Sequence, residues 1–355
     1  MNKFLTLAFL VMLSTSAFAQ SGRKEMNKEY GRQYKEIGKN QNLSGYEKAQ
    51  KKRELSLQQK QDNLNYSNSH DHAYDRHSEL ADKSLEKKIH SITKNKKATV
   101  GVAVIFDGKD TLTVNNDMEY PAMSVFKFHQ ALALLDYMNN NLLSLESNLY
   151  LKKSDIKKDT YSPLAKEYPE GNFTIPIGDL LNYTVSKSDN NASDALYYYM
   201  SGTKMTDLYL RTLGSKNFSI QATEEEMSKD FNNQYINWTT PLEAARLLDI
   251  FINKDIFCKN YKDFLFQAMT ESETGSDKLK ALLPKKVLIG HKSGSSSRNL
   301  EGLKAADNDI GFVYLPNGKQ YSIAVFIKDS KEDDKTNARI IADISQVVYN
   351  FYKNK

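Results

Sequence analysis

The segments of this chain that read as β-strand stand near its two ends, and almost everything between them reads as helix. Residues 98–106 (ATVGVAVIF) are β-branched and alternate with small residues, and Asp107-Gly108-Lys109 turns them into DTLTV at 110–114. That is the pattern of a hairpin. The other strand-like text comes only at 287–292, 309–315 and 321–327, with Pro316-Asn317-Gly318 as a turn between the last two. A helix is expected over 83–92. Another closes the chain at 335–352, where Ile340, Ile341, Ile344, Val347, Val348 and Phe351 recur at helical spacing. An isolated hairpin is marginal in water, so the two ends must meet. The fold class expected is therefore α+β, a largely antiparallel sheet flanked by helices. Residues 83–118 and 285–355 would build the sheet lobe and 119–284 an all-helical lobe, together one folded domain over 83–355. A cleft between two such lobes is the place to look for a site.

The text before residue 83 has a different character. Asn2-Lys3, an apolar run at 4–13 and Ala17-Phe18-Ala19 compose a signal peptide over 1–19. The run falls short of the roughly 20 residues that cross a bilayer, so the expectation is a periplasmic or secreted protein with no membrane span after signal removal. Residues 20–82 are dominated by Lys, Arg, Glu, Gln, Asn and Ser. They offer too little apolar surface to offset the entropy of ordering and read as a flexible, solvated extension or a loose helix. His70, His72 and His77 lie close enough in that tract to suggest a metal. No apolar frame fixes their geometry, so they read as exposed polar residues and no metal or cofactor is expected.

Charge narrows the class further. The 49 Lys and Arg against 44 Asp and Glu leave a net charge of only +5, spread along the chain. That is not the concentrated basic face of a nucleic-acid binder. One cysteine, Cys258, excludes an intramolecular disulfide and a cysteine-based zinc site.

Ser124-Val-Phe-Lys127 places a hydroxyl and an amine three residues apart, on one face of a helix. Serine made nucleophilic by a neighbouring lysine is one route to covalent catalysis. The spacing alone says little, since it recurs from Ser21, Ser84, Ser91, Ser154 and Ser201. The surroundings of Ser124 set it apart. Pro121-Ala-Met precedes it, and Phe126, Phe128 and 131–135 (ALALL) make a helix apolar nearly all round, hence buried. Burying a charge costs several kcal/mol, on the order of the stability of a small domain, so a lysine there has no passive role.

Two further motifs accompany it. Ser188-Asp189-Asn190 occurs once, and Lys292-Ser293-Gly294 ends a strand and runs into Ser295. Each has a plain structural reading, the first as a helix N-cap and the second as a strand-end turn with a snorkelling lysine. The stretch 215–238 is polar and aperiodic, a loop long enough to suggest function. It holds Glu224-Glu225-Glu226, which by itself reads as a solvated acidic run.

Taken together, a serine-x-x-lysine, a Ser-Asn pair and a Lys-hydroxyl-Gly strand end form a known constellation. From about residue 83 to 351 the chain resembles a class A serine β-lactamase, and within that family the extended-spectrum cephalosporinase branch of Bacteroides-type bacteria. The runs that carry the resemblance are Ser124-Val-Phe-Lys-Phe128, Gln234-Tyr-Ile-Asn-Trp238 and Gly290-His-Lys-Ser-Gly294. The intervals agree too, 36 residues from Ser188 to Glu224 and 68 from Glu224 to Lys292.

The resemblance implies roles. Ser124 would be the nucleophile, with the N–H groups of Ser124 and Ser295 as oxyanion hole. Lys127 or Glu224 would take its proton, and Ser188 would pass one to the lactam nitrogen. Asn190 would hold the substrate's side-chain amide; Lys292, Ser293, Gly294 and Ser295 would frame its carboxylate; Glu224 would activate the deacylating water. It implies a monomer acting on small β-lactams, with no nucleic-acid partner. The sequence departs from the commoner family pattern at Glu225, Ser228 and Asp194, where proline, asparagine and asparagine are usual. Three rivals use parts of the same text. A penicillin-binding D,D-peptidase would lack the need for Glu224, a glutaminase of similar fold would not need an exported chain with this loop, and a non-catalytic wall- or partner-binding protein would not need Ser124.

Overall fold

A computed structural model describes residues 27–68, 78–79 and 83–355; the signal-like segment 1–19 and the histidines at 70, 72 and 77 lie outside the described residues. The described residues group into two compact units, 27–68 with 208–214 and 78–207 with 215–355.

In the first unit the tract expected to be a solvated extension or loose helix forms two helices, α1 (27–39) and α2 (Gly45–Asn68). Its Lys, Glu, Gln and Leu are good helix formers. Ser44 and Glu47 close a reciprocal cap, Glu47 N–H to Ser44 Oγ at 3.2 Å and Ser44 N–H to Glu47 Oε2 at 2.8 Å. The Tyr30 hydroxyl donates to Asp62, and Gln59 Nε2 donates to Asn27 Oδ1 at 2.8 Å.

The second unit opens with β1 (Ser78–Glu79), α3 (Ser84–Thr93), β2 (Thr99–Phe106) and β3 (Asp110–Val114). β4 (Tyr120–Pro121), a 3₁₀ turn at Met123–Val125 and α4 (Phe126–Asn140) follow. β5 (Asn148–Leu151) and β6 (Phe173–Pro176) pair around α5 (Pro163–Glu167). Two helices come next, α6 (Ile177–Val185) and α7 (Asn190–Tyr199), and α8 (Lys204–Thr212) begins in this unit and runs from residue 208 into the segment grouped with the first. β7 (Phe218–Ser219) and β8 (Trp238–Thr239) join β4 in a small sheet and bracket α9 (Glu224–Ser228). α10 (Pro241–Asn253) and α11 (Lys259–Thr270) lead to β9 (Leu288–Ser295), β10 (Lys304–Tyr314), β11 (Gln320–Ser330) and α12 (Asp334–Tyr352).

The two ends meet as the strand pattern requires. The main sheet has the order β1-β3-β2-β11-β10-β9, and β2 zips antiparallel onto β11 from Phe106↔Tyr321 to Thr99↔Lys328. Only β1, against β3, is parallel. One face buries Val102, Val104, Ile323 and Val325 under Leu85 and Ile89 of α3 and Ile341, Ile344 and Val348 of α12. Each such side chain contributes about 1.5–3 kcal/mol by leaving water. α10 packs on β2, β10 and β11.

The lobe expected to be all-helical over 119–284 also holds the short strands β4 to β8, which pair in two small sheets. Two further expectations need correcting in extent. β10 starts at Lys304 rather than 309, because its first turn of sequence is charged. Lys304 and Asp307 are nonetheless buried, paired at 3.0 Å. The stretch 215–238 is not a structureless loop. Thr223 and Glu226 cap α9 reciprocally, and the Asp230 carboxylate accepts from Asn232 N–H at 2.8 Å to start a 3₁₀ turn over Phe231–Tyr235.

Candidate active site

The backbone before Ser124 is fixed from two sides. Ala122 N–H donates to Asn237 O at 2.8 Å, while the buried Asn308 side chain donates to Pro121 O at 2.8 Å and Ala122 O at 3.2 Å. These bonds hold Met123 at φ +44°, a left-handed conformation for a residue with a side chain, which costs on the order of 1–3 kcal/mol. Ser124 follows in the 3₁₀ turn, so its N–H lies at the start of a helical segment where donors are unpaired.

One helical turn on, Lys127 is fully buried among Phe126, Phe128 and Leu134 of α4. Its Nζ reaches four oxygens, Asn190 Oδ1 at 2.6 Å, Ser188 O at 2.8 Å, Glu224 Oε1 at 2.8 Å and Ser124 Oγ at 3.2 Å. The Ser124 hydroxyl in turn donates to Glu224 Oε1 at 3.3 Å. Serine, lysine and carboxylate thus form a closed triangle. The Glu224 carboxylate is the charge that makes burial of the ammonium tolerable.

Ser188-Asp189-Asn190 has the helix-cap reading that its sequence offered, and Ser188 and Asn190 also touch the two buried lysines. Asp189 is the N-cap of α7, accepting from Ala192 N–H at 2.9 Å, and it also accepts from Leu164 N–H at 2.6 Å and Ser162 Oγ at 2.9 Å. Burial pushes its carboxyl upward against these bonds. With that anchor, Ser188 is held at φ +58° and takes a 2.9 Å hydrogen bond from Lys292 Nζ. Lys292 is fully buried in β9 and also donates to Ser293 O at 2.8 Å. Burial, and next the nearby Lys127 charge, hold its amine well below the ordinary lysine value.

β9 passes directly behind Ser124. A Cβ on Gly294 would stand 2.9 Å from both Ser124 N and Val125 N and 3.0 Å from Ala122 O, so only glycine permits the approach. Ser296 N–H donates to Ala306 O, and Ser295 faces Asp307 in the ladder. Antiparallel pairs alternate between bonded and non-bonded. Ser295 N–H therefore points away from β10, to the free side of an edge strand.

Glu224 owes its place to groups outside its own helix. Asp194 of α7 accepts from Glu224 N–H at 2.8 Å with one oxygen and from Glu225 N–H at 2.9 Å with the other. Burial raises its pKa to about 7 despite these bonds, and the Glu224 charge adds to the rise. Asn237 accepts from Gln221 N–H and Ala222 N–H at 2.8 and 2.9 Å and donates to Ala222 O at 2.7 Å. The neighbouring glutamates do other work. Glu226 closes the α9 cap, accepting from Thr223 N–H at 2.8 Å, and Glu225 faces Lys157 at 3.7 Å.

These elements line a cleft of about 470 Å³. Ser124, Ser188, Asn190, Glu224, Ser293, Gly294 and Ser295 open onto it, and Lys127 and Lys292 lie buried behind its wall. All nine residues singled out in the sequence thus belong to one place. Sequence reasoning missed Asn237 and Asn308, the two buried amides that brace the segment before Ser124 and the approach to Glu224. Thr160, whose hydroxyl accepts from Asn190 Nδ2 at 2.8 Å, also went unread. The Thr223-x-x-Glu226 spacing is a capping-box signature and could have assigned Glu226 from sequence. Asn237 and Asn308 carry no such local signal. Among the described residues, no group of three or more His, Cys, Asp or Glu could hold a metal ion.

A largely antiparallel sheet built from both ends of the domain, with a serine–lysine–glutamate triangle opening onto a cleft beside a lysine-bearing edge strand, defines an acyl-transfer hydrolase. The chain belongs to the beta-lactamase enzyme family, whose model matches residues 84–352. It is 47% identical over 266 residues to a beta-lactamase of Bacteroides uniformis, covering 75% of this chain and 90% of that protein. It is 42% identical over 275 residues to Beta-lactamase VEB-1 of Pseudomonas aeruginosa, covering 77% and 91%. Among solved structures it is similar to a class A beta-lactamase from Bacteroides cellulosilyticus, at 47% identity and TM-score 0.74 over 76% of this chain and 98% of that one. It is also similar to the TLA-1 extended spectrum beta-lactamase, at 44% identity and TM-score 0.75 over 76% and 99%. The α+β fold is the class A serine β-lactamase fold.

Proposed function

We propose that this chain hydrolyses β-lactams through an ester on Ser124, and so confers resistance to them, with cephalosporins and penicillins as substrates. The observation that carries the reading is the triangle of Ser124, Lys127 and Glu224, all within 3.3 Å of one another. Ser124 Oγ attacks the lactam carbonyl as its proton leaves toward Lys127 or Glu224. The oxyanion forms between the N–H groups of Ser124 and Ser295, donors worth several kcal/mol to such a transition state, about 2.7–4 for one in a serine protease. Ser188 protonates the departing nitrogen, its hydroxyl held by Lys292 Nζ at 2.9 Å. Asn190 has its Oδ1 on Lys127 and one Nδ2 proton on Thr160, which leaves the second N–H for the substrate's side-chain carbonyl. Glu224, the carboxylate that opens onto the cleft beside the ester, then activates water.

A D,D-peptidase shares the first step but has no need of a carboxylate braced against its nucleophile. Asp194 and Asn237 build such a brace here, which favours hydrolysis. Export follows from the signal-like residues 1–19, with action as a monomer in the periplasm or outside the cell; no helix among the described residues is long and apolar enough to cross a membrane. The test is Ser124→Ala. Purified wild-type chain turns over a chromogenic cephalosporin and shows a transient adduct mass on the Ser124 peptide. The variant folds, by circular dichroism, yet gives neither product nor adduct. An adduct on any other residue would sink the assignment.

A further inference from the structure

The substrates in this reading share a carboxylate, and the cleft has to hold it without a cation on its surface. No arginine or lysine is among the residues lining it. Arg298, which follows β9, gives its guanidinium to Gly302 O, Glu332 O and Asp334 at 2.9, 2.7 and 2.6 Å. Lys278 is committed to Asp307 at 2.5 Å and Lys304 to Asp307 and Asp334 at 3.0 Å. Lys292 contributes its field from behind the strand, with Nζ bonded to Ser188 Oγ and Ser293 O. The donors left on the cleft wall are neutral, and most of its polar side chains are hydroxyls.

One of these was invisible in the sequence. Thr274, in the segment between α11 and β9, lines the cleft, and its Oγ1 lies 3.0 Å from Ser293 Oγ. The contact is built in. Glu273 N–H donates to Ser186 O and Ser186 Oγ donates to Glu271 O, both at 2.9 Å, tying the segment down on either side of Ser272. Gly275 then turns at φ +72° so close to β9 that a Cβ there would stand 2.7 Å from Ser293 Cβ. Two hydroxyls at hydrogen-bond distance share one proton between them and leave one to give away. A hydroxyl that accepts a bond becomes a better donor.

We propose that Thr274 is a substrate-positioning residue whose hydroxyl donates to Ser293 Oγ, so that the Ser293 proton is aimed at the substrate carboxylate. The inference rests on the hydrolytic reading above. It adds to it a residue and a direction for the proton.

The experiment compares the full chain with Thr274→Val, Thr274→Ser, Ser293→Ala and the double variant Thr274→Val/Ser293→Ala. The substrates are a chromogenic cephalosporin and its carboxylate methyl ester. Removing one neutral hydrogen bond in a binding chain predicts a fall in kcat/KM of about three- to tenfold for the acid, carried by KM with kcat nearly unchanged. Thr274→Ser restores it. Thr274→Val adds nothing once Ser293 is alanine, because the two act as one unit, and the ester does not register the change. An unchanged KM for Thr274→Val, an equal loss on the ester, or additivity with Ser293→Ala would each overturn the assignment. Wild-type chain inert toward the acid would instead remove the hydrolytic reading, and this inference with it.

Discussion

Replacing Glu224 with glutamine separates the two halves of the proposed reaction, because the residue serves each half differently. In the resting site its carboxylate is the sole negative charge touching Lys127, at 2.8 Å, while the other three partners of that ammonium are neutral oxygens. Breaking a buried ion pair by removing one partner typically costs about 3–5 kcal/mol. In Glu224→Gln, Lys127 Nζ still stands 3.2 Å from Ser124 Oγ, in place to take the serine proton. The substitution therefore leaves a base for acylation. Deacylation gains nothing comparable, since the cleft has lost the carboxylate that activates water. Loss of a positioned general base slows its step by about 10²–10⁴-fold, or roughly 2.7–5.5 kcal/mol of barrier. The variant mixed with excess cephalosporin should give one rapid equivalent of product and then stall, with the adduct mass persisting on Ser124. Glu225→Ala, which loses only the partly exposed 3.7 Å pairing with Lys157, should turn over like the wild type. Glu226→Ala should lower Tm by a few degrees through the α9 cap, worth about 1 kcal/mol, without trapping the ester. Steady turnover by Glu224→Gln, or an adduct trapped by Glu225→Ala instead, would refute the reasoning.

Two other outcomes follow from the structure. Deletion of residues 20–76, which keeps β1, should leave kcat/KM unchanged, since the family match begins at residue 84; an inactive or unfolded product would show that α1 and α2 are needed by the catalytic unit. Asp194 should also mark the pH dependence of stability. Its carboxyl is raised from 3.8 to about 7, so its contribution is complete below about pH 4 and is lost as pH rises through 7. Buried His129 works in the opposite sense, its pKa lowered to about 4 by burial, so it destabilises as pH falls below about 6.5. Asp194→Asn leaves the histidine in place, and the Tm difference between wild type and variant between pH 4 and 8 isolates the carboxyl. That difference should shift against the wild type as pH rises; a flat difference curve would contradict it.

The sequence disclosed the frame of this protein because apolar burial is periodic. β2, β3 and α12 sit within a residue or two of where alternation and helical spacing placed them, and the pairing of the two chain ends followed from strands that had no nearer partner. It singled out Ser124, the proposed nucleophile, through contrast, a lysine embedded in ALALL-type helix text being costly without a purpose. What it withheld is what polar side chains do when buried. The first residues of β10 read as a charged loop because Lys304 and Asp307 look solvated in isolation, although in the fold they neutralise each other at 3.0 Å. Asn237 and Asn308 look like ordinary loop and strand polar residues. Their value depends on backbone groups more than fifteen or a hundred residues away, which no local pattern encodes.

The three adjacent glutamates show where that boundary runs. Chemically they are the same group, and interval alone chose Glu224. The structure supplies the reason the choice has physical content. Thr223 captures the third glutamate in a cap, which fixes the helical phase of the first. Asp194 then grips the backbone of the first two, accepting two N–H groups with its two oxygens. An asparagine there could accept with only one oxygen and would set an N–H against the Glu225 N–H. A proline in place of Glu225 would bring no N–H to accept. Asp194 and Glu225 are thus coupled departures from the commoner family pattern, the carboxylate and the donor each supplying what the other requires. A lone Glu225→Pro exchange would leave Asp194 Oδ2 half-buried without its donor, next to the Glu224 charge that already raises its pKa. The departures at Asp194 and Glu225 are, in the fold, a second way of holding Glu224 against Ser124.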